Sequence, residues 1–312
     1  MDLHRLAIFC KVIELRSFTK AGEEMFLSQS TISEHISSLE EMLGEKLLDR
    51  LGREIFLTPA GKTLYSYAKE MLQLREEAIQ ELARFKGELA GQLILGGSPD
   101  SGAHFLPKTL KSFKASHPAV KIFIVILSIA EIVEAVLRGD IDIGLIGSVW
   151  KDHRLDLEII FSDELILTVF PDHPWSSRDE ISMEEIYGEP FILREKGSGV
   201  RLLVDQILEI HDFDFSRLFL VAEMATTEAI RQSVKAHLGI SIISRQAIAE
   251  DLDRGALIAV PLKGIHFVHP IYLIKRKRRQ ISPICSVFLG HLRAESQRFC
   301  SAFPGHSPSS RT

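Results

Sequence analysis

The stretch Ser17-Phe18-Thr19-Lys20-Ala21-Gly22-Glu23-Glu24-Met25-Phe26-Leu27-Ser28-Gln29-Ser30-Thr31-Ile32-Ser33-Glu34-His35-Ile36-Ser37-Ser38-Leu39 places two serines, Ser17 and Ser28, just ahead of runs with helical spacing. Serine is a good N-cap because its hydroxyl accepts from one of the unpaired N–H groups of the first turn. From Gln29 onward Ile32, Ile36, Leu39 and Leu43 fall at i, i+4, i+7 and i+11, which predicts one buried stripe. Ser30, Glu34 and Ser37 lie opposite, flanked by Thr31 and Ser33. Two helices joined by a short turn, the second presenting small hydroxyl side chains at its start, form a helix-turn-helix arrangement.

Working outward, Leu3, Leu6, Phe9, Val12 and Ile13 recur at helical spacing ahead of this pair. Behind it, Leu47 to Leu57 alternates about Gly52, as a small hairpin or wing does. Thr58-Pro59 then offers an N-cap followed by proline at the first helical position. The helix it opens carries Leu64, Ala68, Met71, Ala78, Leu82 and Phe85 at 4-3 spacing, broken by Arg75, a seam expected to be buried only against a second copy. These readings give a winged helix-turn-helix over residues 1–58 and a linker helix for dimerisation over 59–90.

Past Gly91 short apolar strands alternate with helices. The strands are expected at Leu93–Gly96, Val120–Leu127, Ile141–Ile146, Phe191–Arg194, Phe219–Ala222, Ile240–Ile243 and Ile271–Ile274. Such alternation predicts an α/β domain over 91–300 with largely parallel sheets and pockets at the carboxyl ends of strands. The Ser-, Pro- and Gly-rich segment 301–312 is expected to be a disordered tail.

Composition narrows the class. With 46% hydrophobic and 25% charged residues the chain is far from the signature of disorder, so it folds. Glu131 and Glu134 interrupt its longest apolar stretch, and no window reaches the length of a spanning helix, so no membrane partner is expected. Charged residues within Met1–Ser17 argue against an export signal. Cys10, Cys285 and Cys300 are far apart, which suggests neither a disulfide framework nor a metal site and fits a reducing cytoplasm. The net charge of −5 supplies no overall basic footprint for nucleic acid, so DNA binding has to rest on local pattern.

That pattern resembles the LysR-type transcriptional regulators. Phe9-x-x-Val12, Ser17-Phe18-Thr19-x-Ala21, Leu27-Ser28-Gln29-Ser30-Thr31-Ile32-Ser33, Leu39-Glu40, Leu43-Gly44-x-x-Leu47 and Leu57-Thr58-x-x-Gly61 follow the family's order and spacing. The resemblance continues through Phe105-Leu106-Pro107, Gly139-Asp140-Ile141-Asp142, Pro171-Asp172-His173-Pro174 and Gly239-Ile240. It implies an effector domain like a periplasmic binding protein, with lobes of about 91–162 plus 267–300 and of about 163–266 joined by two crossover strands. It also implies double-stranded promoter DNA and RNA polymerase as partners, a homodimer or homotetramer, and no cofactor beyond a small-molecule effector. The segment Arg194 to Arg201, with Gly197-Ser198-Gly199, resembles the branch that regulates sulfur assimilation and carbon-fixation operons. The chain departs from the family at Gly22, where a second alanine is usual, at Glu34, where a basic residue is common, and at Asp100, where paired Ser/Thr are usual.

The candidate DNA-reading residues are Ser28, Gln29, Ser30, Thr31, Ser33, Glu34 and Ser37, with Arg50 and Arg53 in the wing. Short hydroxyl side chains let a helix end approach the groove floor, Gln29 can pair bidentately with adenine, and Glu34 can accept from cytosine N4. A solvated surface helix is the plainer alternative. The candidate effector residues are Ser98, Asp100, Ser101, Ser198, Arg201, Thr226 and Thr227, at strand ends or helix starts where N–H groups and hydroxyls can hold a carboxylate, sulfate or phosphate. N-capping alone is the alternative for each hydroxyl, and a surface ion pair for Arg201. Asp100 turned inward would repel an anion; turned outward it would cap a helix. No G-x-S-x-G, P-loop, G-x-G-x-x-G or H-E-x-x-H motif points to an enzyme. The rival reading is a two-lobe small-molecule binding protein or enzyme, and the first ninety residues argue against it.

Overall fold

Each of the first three helices opens on a side-chain cap. Asp2 accepts from the Arg5 N–H at 2.8 Å ahead of α1 (Leu3–Leu15), Ser17 from Lys20 at 3.2 Å ahead of α2 (Phe18–Met25), and Ser28 from Thr31 at 3.1 Å ahead of α3 (Gln29–Leu43). The computed structural model describes residues 1–51, 54–85, 89–277 and 281–301, in two units, Met1–Leu89 and Ala90–Thr312.

In the first unit, β1 (Leu48–Leu51) and β2 (Glu54–Leu57) pair antiparallel from Leu48–Leu57 to Leu51–Glu54, and α4 (Pro59–Phe85) follows. Leu6, Phe9, Val12, Ala21, Ile32, Ile36, Leu39 and Leu47 form the core. Leu43, expected on that stripe, is the last residue of α3 before the Gly44 cap and is 40% exposed. A larger correction concerns α4. Ala68 is fully buried in this unit's own core, and Leu64 and Met71, partly buried, pack against it, so at this end of the expected seam Ala68 is covered by its own chain. Ala78 and Leu82 further along are exposed, together with Leu74 and Ile79, while the side chain of Phe85 lies outside the described residues. A 4-3 repeat announces a buried face without saying whose atoms cover it.

The turn between α2 and α3 is tight. The Leu27 N–H donates to the Gly22 carbonyl at 2.8 Å, and a Cβ on Gly22 would stand 2.6 Å from the Leu27 oxygen, so the glycine that weakens α2 as a helix former lets the turn close. Phe26, which caps α2, has φ of 57° and is 95% exposed. A bulky residue in the left-handed region is strained, and this ring recovers nothing by burial. Phe26→Asn, which tolerates that backbone, should therefore stabilise the protein by about 0.5–1 kcal/mol. The check is the denaturation midpoint; an unchanged or lower midpoint would show that the ring is held by its neighbours.

The second unit contains β3 (Gly91–Gly97), α5 (Pro99–His104), α6 (Leu106–Ser116), β4 (Val120–Ile126), α7 (Ile129–Arg138), β5 (Ile143–Ile146) and β6 (Leu155–Val169). These are followed by β7 (Phe191–Arg194), α8 (Gly199–Ile210), β8 (Leu220–Met224), α9 (Thr227–Lys235), β9 (Ser241–Ser244), α10 (Ala249–Asp253), β10 (Ile258–Val260), β11 (Phe267–Arg276) and α11 (Pro283–Ser301). Seven strands share one sheet, in the order β10-β6-β11-β5-β3-β4, with β9 also on β6. The sheet is mixed. β3 pairs parallel with β4 and β5, but every pairing of β6 and β11 is antiparallel. This corrects the expectation of largely parallel sheets, and the cause is the long strand β6, which sequence patterning missed.

Two halves hang from the β6–β11 pair. One packs α7 on the sheet through Ile132, Val133, Val136, Ile146 and Ile274, and in it Phe113 meets Phe288 edge to face with ring centroids 5.0 Å apart. In the other half, β7 pairs parallel with β8 and joins Ile240 through the Ile192 N–H, with cores around Phe191, Leu167 and Phe267 and around Ile192, Ile230 and Ile243. Phe219, expected to start β8, precedes it and is exposed. Ser301 closes α11, and the rest of the expected tail lies outside the described residues.

Candidate functional site

On α3 the residues with helical spacing away from the core face solvent: Gln29, Ser30, Glu34 and Ser37 are exposed, and Thr31 and Ser33 half-buried. The Ser28 hydroxyl, besides capping the helix, lies 2.7 Å from that of Ser30 and 2.8 Å from that of Thr31. The helix start thus presents a cluster of short hydroxyls with Gln29 beside it. Arg53 and the side chain of Arg50 lie outside the described residues.

A joint that sequence reasoning passed over holds this helix to the wing. Glu40 is 8% exposed and accepts from the Leu47 N–H at 2.9 Å, the Leu48 N–H at 3.3 Å and the Lys46 ammonium at 2.6 Å. Burial pushes its pKa up, but Lys46 and the two N–H groups outweigh that and hold the carboxyl below its usual range. Thr58 donates its hydroxyl to the Lys46 carbonyl at 2.6 Å and accepts from the Gly61 N–H at 2.9 Å; a Cβ on Gly61 would sit 2.0 Å from the Leu47 oxygen. Glu40, Thr58 and Gly61 had been picked out only as parts of the family pattern.

In the second unit the carboxyl ends of β3, β5, β7 and β9 converge between the two halves. Ser98 and Ser101 turn toward each other at 2.6 Å, and Ser101 donates to the Leu145 carbonyl at 2.7 Å. Ser198 accepts from the Arg201 N–H and Thr226 from the Ala229 N–H, both at 3.1 Å, so each caps its own helix. Arg201 is engaged by Asp205 at 2.7 Å, by Glu223 at 3.3 Å and by the Arg194 carbonyl at 2.9 Å. Of the seven candidates, Asp100 and Thr227 meet across the halves: the Thr227 hydroxyl donates to the Asp100 carboxylate.

Asp100 takes the inward of the two orientations expected for it, and it is not left alone there. It is 7% exposed, and its second oxygen accepts from Arg194 Nη2 at 3.3 Å, so the inward-facing charge is matched by a cation. Arg194 is 4% exposed, its Nη1 donates to the Met224 carbonyl at 3.3 Å, and its Nε is buried without a partner. Nearby, Asp163 accepts from the Ser244 hydroxyl, and the His269 Nε2–H donates to the Gly147 carbonyl at 2.8 Å. The halves touch closely at Gly147, where a Cβ on Gly199 would lie 2.8 Å from its oxygen. Sequence reasoning missed Arg194, Asp163 and His269. A lone charge at the end of an apolar strand was the signal available for the first, and the interrupted pattern of β6 hid the second.

Burial pushes the Asp163 pKa up to about 6, against the bonds from Ser244 and the N–H groups of Glu164 and Gln246, which act downward. A folded-state pKa above the unfolded value of about 3.9 means that stability falls as pH rises from about 4 to about 6, and stays lowered above that. Asp163→Asn should remove this loss. The stability of the variant relative to the parent should grow by about 1–3 kcal/mol between pH 4 and pH 7.5, read from chemical denaturation at each pH. Parallel profiles would clear Asp163 of the effect.

A helix-turn-helix unit with its hydroxyl face open, followed by an α/β unit whose halves meet over a buried polar cluster, defines a DNA-binding regulator with an effector-binding domain. Residues 3–62 match the bacterial regulatory helix-turn-helix protein of the lysR family and residues 86–297 the LysR substrate binding domain; the chain belongs to the LysR family of transcriptional regulators. It is 30% identical over 297 residues to the HTH-type transcriptional activator CmpR of Synechocystis sp., covering 95% of this chain and 96% of that one. It is also 30% identical over 294 residues to the RuBisCO operon transcriptional regulator of Acidithiobacillus ferrooxidans, covering 94% of each. Among solved structures, full-length CbnR complexed with its target DNA matches with a TM-score of 0.66 at 21% identity, covering 94% of this chain and 99% of that one. The Synechocystis CcmR regulatory domain in complex with 2-PG matches with a TM-score of 0.60 at 24% identity, covering 66% and 98%. At those identities the two structures speak for the fold.

Proposed function

We propose that this regulator reads a promoter by placing α3 in the major groove, and that a small anionic metabolite held between the halves of Ala90–Thr312 controls it, in the manner of regulators of carbon-fixation operons. The observation that carries the DNA reading is the exposed cluster of Gln29, Ser30, Glu34 and Ser37 on a helix whose opposite face is the core. In this reading Ser28, Thr31 and Ser33 line the same approach, and Arg50 and Arg53 take phosphates. The names of CmpR and the RuBisCO operon regulator support the carbon-fixation setting, and 2-PG on the CcmR domain supports a small acid as effector. Ser98, Ser101, Ser198, Arg201, Thr226 and Thr227 surround the proposed effector site. The protein works in the cytoplasm and addresses RNA polymerase; among the described residues no helix is long and apolar enough to cross a membrane.

Base reading has a distinct signature. Gln29→Ala should lose about 1–3 kcal/mol on the specific site and far less on random DNA, measured by titration of labelled duplexes at fixed salt. Equal losses on both would reject the reading.

Assembly as a homodimer, and as a tetramer built from it, falls to the far half of α4, where Leu74, Ala78, Ile79 and Leu82 are exposed. Leu82→Asp should give a folded monomer that fails on a full two-fold site, whereas Ala68→Asp, inside the core, should unfold the first unit. Sedimentation with circular dichroism separates the two. A Leu82→Asp protein that stayed dimeric would move the interface elsewhere.

A further inference from the structure

The contact between Asp100 and Arg194 is a poor match for a guanidinium. An arginine fork offers five N–H donors and pairs best with a carboxylate through two parallel bonds of about 2.7–2.9 Å. Arg194 receives one oxygen of Asp100 at 3.3 Å and a backbone carbonyl at 3.3 Å; Glu195 stands 3.8 Å away, and Nε has no partner although the side chain is only 3% exposed. Asp100 reaches in from α5 in one half, Arg194 ends β7 in the other, and the backbone at each end limits how well the two can align. A carboxylate free of the chain could settle on both edges of the fork and also accept from Thr227.

The surroundings leave no room for a second anion beside Asp100. Arg201 is held by Asp205 and Glu223, burial lowers the pKa of His269 so that the ring stays neutral, and Asp163 adds a further acid. Among the described residues of this cluster, Arg194 is the cation whose own-half acid, Glu195 at 3.8 Å, stays beyond hydrogen-bond distance. Any acid that binds it has to remove Asp100 first.

We propose that Asp100 is the built-in occupant of an anion site formed by Arg194 and Thr227, and that the acid group of the effector takes its place. This rests on the reading that the effector binds between the two halves. The ligand class that follows is a molecule with a compact carboxylate-sized acid group, bound in competition with an internal carboxylate that already ties the halves together.

The test is rescue in trans with the full-length protein. Asp100→Ala should melt below the parent and regain the difference saturably with millimolar formate, while chloride at equal ionic strength has no such effect and the parent does not respond to formate. By calorimetry Asp100→Ala should bind 2-PG at least tenfold more tightly than the parent. If Asp100→Ala fails to fold, Asp100→Asn, of the same shape, carries the calorimetric comparison. An Asp100→Ala protein that responds to formate no more than to chloride overturns the proposal, and so does one that binds 2-PG measurably, as the parent does, with no gain in affinity. Rescue by formate in a protein whose DNA binding ignores 2-PG would sustain the internal occupant and reject 2-PG as effector. Equal binding of 2-PG by parent and variant would do the reverse.

Discussion

The second unit depends on one ladder of hydrogen bonds. β6 and β11 run antiparallel from Leu165–Phe267 to Leu155–Arg276, with an irregularity between Ile271 and Tyr272. At one end β11 continues to β5 and the strands beyond it; at the other β6 carries β9 and β10. Both halves are therefore built on the same two strands and cannot part without breaking that ladder. The parallel strands of each half point their carboxyl ends, with Asp100 after β3 and Arg194 closing β7, toward the seam between the halves.

Local chemistry was legible where it is dictated by few residues. Ser17, Ser28, Ser198 and Thr226 are all N-caps, because a hydroxyl ahead of an unpaired N–H has one obvious partner. The stripe of α3, the hairpin and the proline opening of α4 could be read for the same reason. β6 could not, since Asp156, Glu158, Asp163 and Glu164 interrupt its apolar residues: Asp156 and Glu158 are half-buried, Glu164 is exposed, and Asp163 is buried against the Ser244 hydroxyl. The buried cluster was hidden for a different reason. Asp100 and Arg194 lie 94 positions apart, and pairing at such separation is a property of the topology, which spacing does not encode.

The family pattern and the structure explain different things about the first unit. The pattern identifies Glu40, Thr58 and Gly61 as belonging together; the structure shows that a carboxylate, a hydroxyl and a missing Cβ fasten α3, the base of the hairpin and α4 at one point. Polar groups this deep have to be fully satisfied, and Glu40 is, through three donors.

That fastening makes α4 a lever. At a rise of about 1.5 Å per residue its 27 residues form a rod of about 40 Å, rooted by Leu64, Ala68 and Met71 in the same core that carries α3. A tilt of about 5° at the root moves the far end by about 3–4 Å, close to the rise of a single base pair. Small angular differences at this root are therefore magnified at the far end of the rod, to an extent that the stiffness of a single helix sets.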